Sequence, residues 1–194
     1  MLGSKEQLEK AVVGATWSGK FGRLTVNTDR SVDFELRDCP YYEGDPALLK
    51  PATCELRKGH GRAEFGDYSI RIDLPPDDPN GETMIPLAAF VRKGTLYAGA
   101  GTVARLSAPH EGRFEFLHGQ VLHIHANNGC ELEIASKGKP AATKCSFEPH
   151  DGYELLQFEA GDKNGHPIER MFGYLPGSRL LVSIQLLAMR FTRT

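Results

Sequence analysis

The four cysteines of this chain fall into two pairs with the same spacing, and this feature limits the possible folds more than any other. Cys39 and Cys54 are 15 residues apart, and so are Cys130 and Cys145. Both intervening segments end in a similar phrase, Lys50-Pro51-Ala52-Thr53-Cys54 and Lys139-Pro140-Ala141-Ala142-Thr143-Lys144-Cys145. No pair has the Cys-x-x-Cys spacing that is typical of a zinc site. The pattern therefore favours two disulfide bonds that close two loops of equal length.

Paired cysteines also bear on the compartment. Disulfide bonds favour a periplasmic or extracellular location, because thiols stay reduced in the cytosol. The first residues, Met1-Leu2-Gly3-Ser4-Lys5, contain no apolar run of the kind that a signal peptide requires. We therefore expect an extracytoplasmic protein whose signal peptide is absent from the sequence as given. The alternative is a cytoplasmic protein with four free thiols, since cysteine is also a small core residue.

From Ala15 onward, apolar and polar residues alternate with the period of two that is typical of half-buried strands. The segment Ser31–Arg37 is the clearest case, because Val32, Phe34 and Leu36 alternate with polar or charged residues. Turn signals separate roughly ten to eleven such segments, without the long intervening helices that a parallel sheet needs. We expect an all-β fold, an antiparallel meander of roughly ten to eleven strands that forms a barrel, with a sandwich as the second choice.

The N-terminal stretch is the exception to this alternation. Lys5–Val13 predicts one short helix, with Ser4 as its N-cap and Leu8 and Val12 on one face. The last predicted strand, Arg179–Thr192, is apolar on both faces, so it needs a second layer over its outer surface. We expect the short helix to supply that layer, with a partner subunit as the alternative.

Composition excludes some function classes. The chain is 40% apolar and 25% charged, as globular proteins are, and its formal net charge is −2 with acids and bases mixed. The basic footprint of a nucleic-acid-binding protein is therefore missing. The longest apolar run, Leu180–Met189, is interrupted by Ser183 and Gln185 and is too short for a membrane span. We expect a single all-β domain, 1–194, in which the two cysteine loops raise the hypothesis of duplicated halves, about 14–106 and 107–194.

Gly14-Ala15-Thr16-Trp17, taken with Arg190 or Arg193, resembles the two ends of lipocalin- and avidin-like barrels. In those barrels, a tryptophan of the first strand packs under an arginine late in the chain. The resemblance implies a lipocalin-like barrel in which Trp17 packs near one of the two arginines. The spacing departs from the family pattern, because the tryptophan stands three residues after the glycine, and the chain is longer than those barrels.

Three histidines, His118, His123 and His125, form the best candidate for a metal site. On a strand, His123 and His125 point to the same face about 7 Å apart, a separation that suits two ligands of one metal ion. His118 joins them if Gly119 bends the chain. Gly119, His123, His125 and Glu131 also resemble the His-x-His and Glu pattern of cupins, although both spacings depart from it.

A solvent-exposed histidine surface is the alternative to a metal site. Leu122, Ile124 and Ala126 alternate with the histidines and form the buried face of the same strand. In a half-buried sheet the opposite face is solvated, so the histidines need no metal to explain them.

Other chemical motifs are weak. Asp77–Glu82 and Asp162–Gly165 offer oxygen ligands for calcium, but plain acidic turns are the simpler interpretation. Gly-x-Ser-x-Gly does not occur, and Gly99-Ala100-Gly101 leads into a strand rather than into the helix N-terminus that a phosphate site needs. No motif requires a cofactor.

A pair of tyrosines, Tyr41 and Tyr42, lies in the first cysteine loop. Tyrosines on a constrained loop suit contact with a partner, because they bury a large area at a low entropic cost. The alternative is that one or both fold back as a lid on the end of the sheet.

Three functions follow from these patterns. The first is a non-catalytic, extracytoplasmic β-barrel binding protein that holds a small apolar ligand inside, or a partner at its loop end. The second is a disulfide-clipped protein–protein interaction module without a cavity. The third is a metal-dependent enzyme that uses the His-x-His strand. A cavity distinguishes the first function from the second.

Overall fold

The computed structural model of this protein divides into two compact units, which are described separately. The first unit comprises Met1–Val103 and Ile184–Thr194, and the second comprises Ala104–Ser183. The second unit is therefore an insertion between two segments of the first. The single domain and the duplicated halves that we expected both stay predictions. The structure describes residues 3–39, 45–73, 86–116, 119–127, 129–134, 139–161 and 166–194.

Strands dominate the described chain, as the alternating pattern predicts. In chain order they are β1 (Ala15–Gly19), β2 (Gly22–Val26), β3 (Ser31–Asp38), β4 (Glu55–Phe65), β5 (Ile70–Asp73), β6 (Leu87–Arg92), β7 (Thr95–Ala100), β8 (Val103–Arg105), β9 (Gly112–Phe116), β10 (Gln120–Ile124), β11 (Cys130–Ile134), β12 (Ala141–Thr143), β13 (Cys145–His150), β14 (Tyr153–Gly161), β15 (Pro167–Leu175), β16 (Leu180–Ser183) and β17 (Arg190–Arg193).

The first unit is a closed antiparallel barrel of eight strands in the order β1-β17-β7-β6-β5-β4-β3-β2. Each of β1 to β7 pairs with its neighbour in sequence, and β17 closes the barrel between β7 and β1. The predicted all-β barrel is thus confirmed, with fewer strands than the expected ten to eleven, because the strands inserted before β17 form separate sheets. The register sets Trp17 directly opposite Arg193. The resemblance to lipocalin- and avidin-like barrels depends on this pair of residues, and what the resemblance implies stays a prediction.

The interior of the barrel is filled by apolar side chains. Inward-facing residues such as Leu24, Val32, Ile72 and Phe191 expose 1% of their surface or less. A void that admits water would leave accessible area on the residues that line it, so these side chains border no such void. The phenyl ring of Phe34 contributes to this packing, because it lies only 3.1 Å from the position that a Cβ at Gly59 would occupy.

A helix, α1 (Lys5–Val12), precedes the barrel and confirms the predicted N-terminal helix. Its first turn is a capping box, in which the Gln7 backbone N–H donates to Ser4 Oγ and the Ser4 N–H donates to Gln7 Oε1, both at 3.3 Å. Leu8 and Val12 are fully buried in the same apolar core as the barrel strands. The helix therefore packs on the barrel through the face that the sequence predicts.

The C-terminal apolar segment is not the single strand that we predicted over Arg179–Thr192. It forms β16, a one-turn 3₁₀ helix at Ile184–Leu187, and β17, which belongs to a different sheet from β16. The 3₁₀ turn is anchored by Gln185, whose Nε2 donates to the Ala100 carbonyl at 3.1 Å. After this turn, Met189 packs on Gly99, where an added Cβ would lie 2.5 Å from the methionine sulfur. The segment is apolar on both faces because its residues serve several packing surfaces, and alternation alone cannot distinguish this from one central strand.

The second unit contains two sheets, ordered β12-β11-β10-β9 and β13-β14-β15-β16-β8. Both contribute to one buried core, which is rich in phenylalanine. Phe114 from the first sheet meets Phe172 from the second edge to face at 4.7 Å, and Phe116 meets Phe158 in the same way at 5.2 Å. This unit therefore has the layered packing of a sandwich, which was the second choice for the fold.

Closure of the barrel requires glycine at position 19. A Cβ at Gly19 would lie 2.1 Å from the Arg190 carbonyl oxygen on the adjacent strand β17. Because this neighbour is backbone, Gly19→Ala forces β1 and β17 apart, and we expect a loss of more than about 2 kcal/mol of unfolding free energy in urea. Gly66→Ala is the matched control, since a Cβ there meets nothing closer than 3.7 Å. Equal stability of the two variants would contradict the β1–β17 pairing.

The turn between β2 and β3 gives a pH-dependent prediction. The Ser31 hydroxyl, at 2.6 Å, and the Ser31 backbone N–H, at 2.9 Å, both donate to Asp29 Oδ1 and hold the pKa of Asp29 below its ordinary value. A lowered folded-state pKa stabilises the fold above the ordinary value of about 4, and this contribution is lost as the pH falls through the folded-state pKa. We expect Asp29→Asn to lower the melting temperature at pH 7 and to make little difference near pH 2. The exposed Asp67→Asn variant should melt like the parent protein at both pH values.

Candidate functional site

Both predicted disulfide bonds are present. Cys39 and Cys54 are bonded with their Cα atoms 4.5 Å apart, and Cys130 and Cys145 with theirs 6.0 Å apart. The first bridge joins the end of β3 to the start of β4, whereas the second joins the first residues of β11 and β13 across the intervening β12. The equal spacing in sequence therefore corresponds to different topological positions. Two disulfide bonds are compatible with an oxidising compartment.

In the loop closed by the first bridge, the described part, residues 45–54, is held by local hydrogen bonds. It contains two 3₁₀ turns, Pro46–Leu48 and Pro51–Thr53. Asp45 Oδ1 accepts from the Ala47 N–H at 2.9 Å and caps the first turn, and the Thr53 hydroxyl donates to the Lys50 carbonyl at 2.7 Å in the second. These contacts leave the described part of the loop with few conformations to lose when a partner binds.

This loop and the strand that follows it expose two leucines to solvent. Leu48 is 67% exposed and Leu56 is 40% exposed, and they are the exposed large apolar side chains among the described residues. The adjacent Leu49 is only 5% exposed and belongs to the barrel core, so it anchors the turn that presents Leu48. We call Leu48, Leu56 and the Cys39–Cys54 bridge the clip surface.

Strand pairing fixes the position of Leu56 in the clip surface. Leu56 lies directly opposite Arg37 in the β3–β4 ladder, and an Arg37 guanidinium N–H donates to the Cys54 carbonyl at 3.5 Å. The next outward pair, Glu35 and Lys58, forms an ion pair of 2.8 Å. Leu56 thus lies beside charged side chains on the outer face of β3 and β4, and charged groups commonly border the apolar residues of binding surfaces. Tyr41 and Tyr42, which we predicted to be partner contacts, lie outside the described residues.

The two described histidines of the predicted metal site are engaged by carboxylates. His123 Nε2 lies 2.8 Å from Glu133 Oε2, and His125 Nε2 lies 3.1 Å from Glu131 Oε2. Both carboxylates belong to the neighbouring strand, β11. Within the described ranges, no group of three or more His, Cys, Asp or Glu side chains is arranged to hold a metal ion. His118 lies outside those ranges, and the metal site stays a prediction.

A second histidine site, which the sequence patterns do not indicate, lies in the second unit. His110 Nε2 is 2.6 Å from Glu154 Oε2, and its ring packs against Phe147 and Tyr174, with centroid distances of 4.4 and 4.8 Å. We call His110, Phe147, Glu154 and Tyr174 the aromatic–acidic cluster. Forty-four residues separate the histidine from the glutamate, so no local spacing could have linked them. The available signal was that Glu154 falls on the alternating face of β14 whose other residues, Leu156, Phe158 and Ala160, are apolar and buried.

The tyrosine of this cluster is fully buried. Burial raises the pKa of Tyr174, and the nearby Glu154 carboxylate adds to the effect, while the His110 backbone and the Arg179 charge oppose it. The hydroxyl lies near the His110 backbone but has no hydrogen-bond partner of normal geometry. Tyr174 is thus a neutral, buried donor beside the His110–Glu154 pair.

The two disulfide bonds predict a sensitivity to reductant. Each closes a loop of 15 residues, which is worth about 3 kcal/mol in the chain-entropy description. We expect a clear fall in melting temperature with dithiothreitol, reproduced in part by Cys39→Ala/Cys54→Ala and in part by Cys130→Ala/Cys145→Ala. A melting curve that is indifferent to reductant would show that the bonds do not stabilise the protein.

The chain has no match among known proteins. No family model matches the sequence, and neither a curated protein nor a solved structure is significantly similar to it. In the part of the chain that the structure describes, no helix is long and apolar enough to span a membrane.

Proposed function

We propose that this chain is an extracytoplasmic binding protein that engages a protein partner through the clip surface, at the loop end of its barrel. The observation that carries the proposal is the exposure of Leu48 and Leu56 on either side of Cys54. Solvent-exposed leucines on a loop without function are readily replaced by polar residues, whereas a partner that buries them gains about 1.5 to 3 kcal/mol for each.

The rigidity of the loop supports the same proposal. A binding loop that is already ordered loses less entropy on association, so more of the contact energy appears as affinity. The Cys39–Cys54 bridge, the two 3₁₀ turns and the buried Leu49 all restrict the loop before any partner arrives. Two disulfide bonds also suit a periplasmic or extracellular protein, where such bonds persist.

Packing inside the barrel favours a protein partner over the small apolar ligand that we considered as an alternative. Eight-stranded barrels are either filled by side chains or hold one small ligand. Here inward-facing side chains such as Leu24 on β2 and Phe191 on β17 expose 1% or less of their surface. An internal ligand would have to displace them.

The proposal is tested by comparing variants as bait in extracellular or periplasmic fluid from the source organism. Leu48→Ser/Leu56→Ser removes the exposed apolar surface, and Cys39→Ala/Cys54→Ala removes the bridge beneath it. Cys130→Ala/Cys145→Ala is the matched control, because it removes an equal loop closure in the second unit. We expect one protein to bind both the parent chain and the control. Once that protein is purified, its affinity for Leu48→Ser/Leu56→Ser should be at least about tenfold lower than its affinity for the parent chain.

Two outcomes would overturn the proposal. The first is a captured protein that binds Leu48→Ser/Leu56→Ser and the parent chain equally, or no captured protein at all. The second is a native mass spectrum with added mass that disappears on denaturation, since a ligand inside the barrel would then be the better explanation. We expect the mass of the bare chain less four hydrogens, two for each bridge.

A further inference from the structure

Glu154 occupies an unusual place for a charged residue. In the ladders of its sheet it lies opposite Tyr174 on β15, and Tyr174 lies opposite Leu181 on β16. Tyr174 and Leu181 are fully buried, so this row of residues faces the core of the second unit. The Glu154 side chain is only 24% exposed. A carboxylate in such a position costs free energy unless a cation or hydrogen-bond donor meets it.

His110 supplies that donor while its ring packs against two aromatic rings. It lies in the turn between β8 and β9, with a positive φ of 51°, a conformation that non-glycine residues adopt at a cost. In this position the imidazole contacts the rings of Phe147 and Tyr174, which meet edge to face at 5.5 Å, while Nε2 reaches Glu154 at 2.6 Å. The histidine thus occupies a space with two aromatic walls and one carboxylate.

Two aromatic walls and a carboxylate are the elements with which proteins bind organic cations. The ring faces attract a cation through their quadrupoles, and the carboxylate pairs with its charge. A protonated imidazole is itself such a cation. The Tyr174 hydroxyl, buried and without a regular hydrogen bond, remains available to a ligand that carries an acceptor.

We propose that the aromatic–acidic cluster is a binding site for an organic ammonium group, which His110 occupies while the site is free of ligand. The ligand replaces the imidazole against the rings of Phe147 and Tyr174, and its charge pairs with Glu154. His110 then leaves with its turn, which relieves the positive φ of that residue. This site is independent of the clip surface, so it stands or falls separately from the proposed function.

The experiment titrates tetramethylammonium chloride into the full, oxidised chain at constant ionic strength, with binding followed by calorimetry or NMR. His110→Gly vacates the site and suits the positive φ. We expect it to bind at least about tenfold more tightly than the parent chain. Adding Glu154→Gln to His110→Gly should weaken binding about tenfold, whereas adding Glu159→Gln, an exposed carboxylate on the same strand, should not.

Choline and a peptide with trimethyl-lysine then distinguish the source of the ammonium group. Tighter binding of choline indicates a free ammonium compound, and tighter binding of the peptide indicates a protein side chain. The proposal is overturned if folded His110→Gly binds tetramethylammonium no better than the parent chain, or if Glu154→Gln and Glu159→Gln have the same effect. If His110→Gly does not fold, His110→Asn takes its place, since asparagine also tolerates a positive φ.

Discussion

The pairing of β17 with β1 is the interaction on which the first unit depends. It joins the last strand of the chain to the first, with Trp17 opposite Arg193 and the Thr194 N–H donating to the Thr16 carbonyl at 3.0 Å. Without this ladder, β1 and β17 would be two open sheet edges. The pairing also spans the whole chain, so its loop-closure entropy is large and it has to be supported by burial of residues such as Phe191. The pairing also needs a glycine at position 19, because the Arg190 carbonyl of β17 leaves no room there for a Cβ.

Local features of the fold could be predicted from the sequence, whereas long-range features could not. The alternation of Val32, Phe34 and Leu36 depends only on neighbouring residues, and it indicates a strand whatever its partner is. The capping of α1 by Ser4 and the pairing of the cysteines are similarly local. The break between β16 and β17 escapes such analysis, because Gln185 and Met189 are fixed by Ala100 and Gly99, which are distant in sequence.

The two candidate sites differ in the same way. The clip surface is partly predictable, since Cys39 and Cys54 mark a constrained loop and the expectation of a partner at the loop end follows from them. The residues that the structure adds are Leu48 and Leu56, whose exposure depends on Leu49 turning inward. An alternation rule assigns apolar residues to the core, so it has no means of selecting the leucine that stays outside.

The proposal of a partner at the loop end, rather than a small apolar ligand inside the barrel, depends on the packing of inward-facing side chains such as Leu24 and Phe191. The physical reason is that a ligand cannot share space with side chains that are already packed there.

Pairing with a carboxylate does not by itself distinguish a functional histidine in this protein. His60 contacts Asp33, but the two side chains are 85% and 50% exposed, so water and salt weaken their attraction. In the His110–Glu154 pair the values are 32% and 24%, and the pair lies against two aromatic rings. The lower effective dielectric there strengthens the attraction between opposite charges and raises the cost of leaving either charge alone. In the site that we propose, this carboxylate binds whichever cation fits against the rings, so that His110 is a competitor for the site as well as a part of the fold.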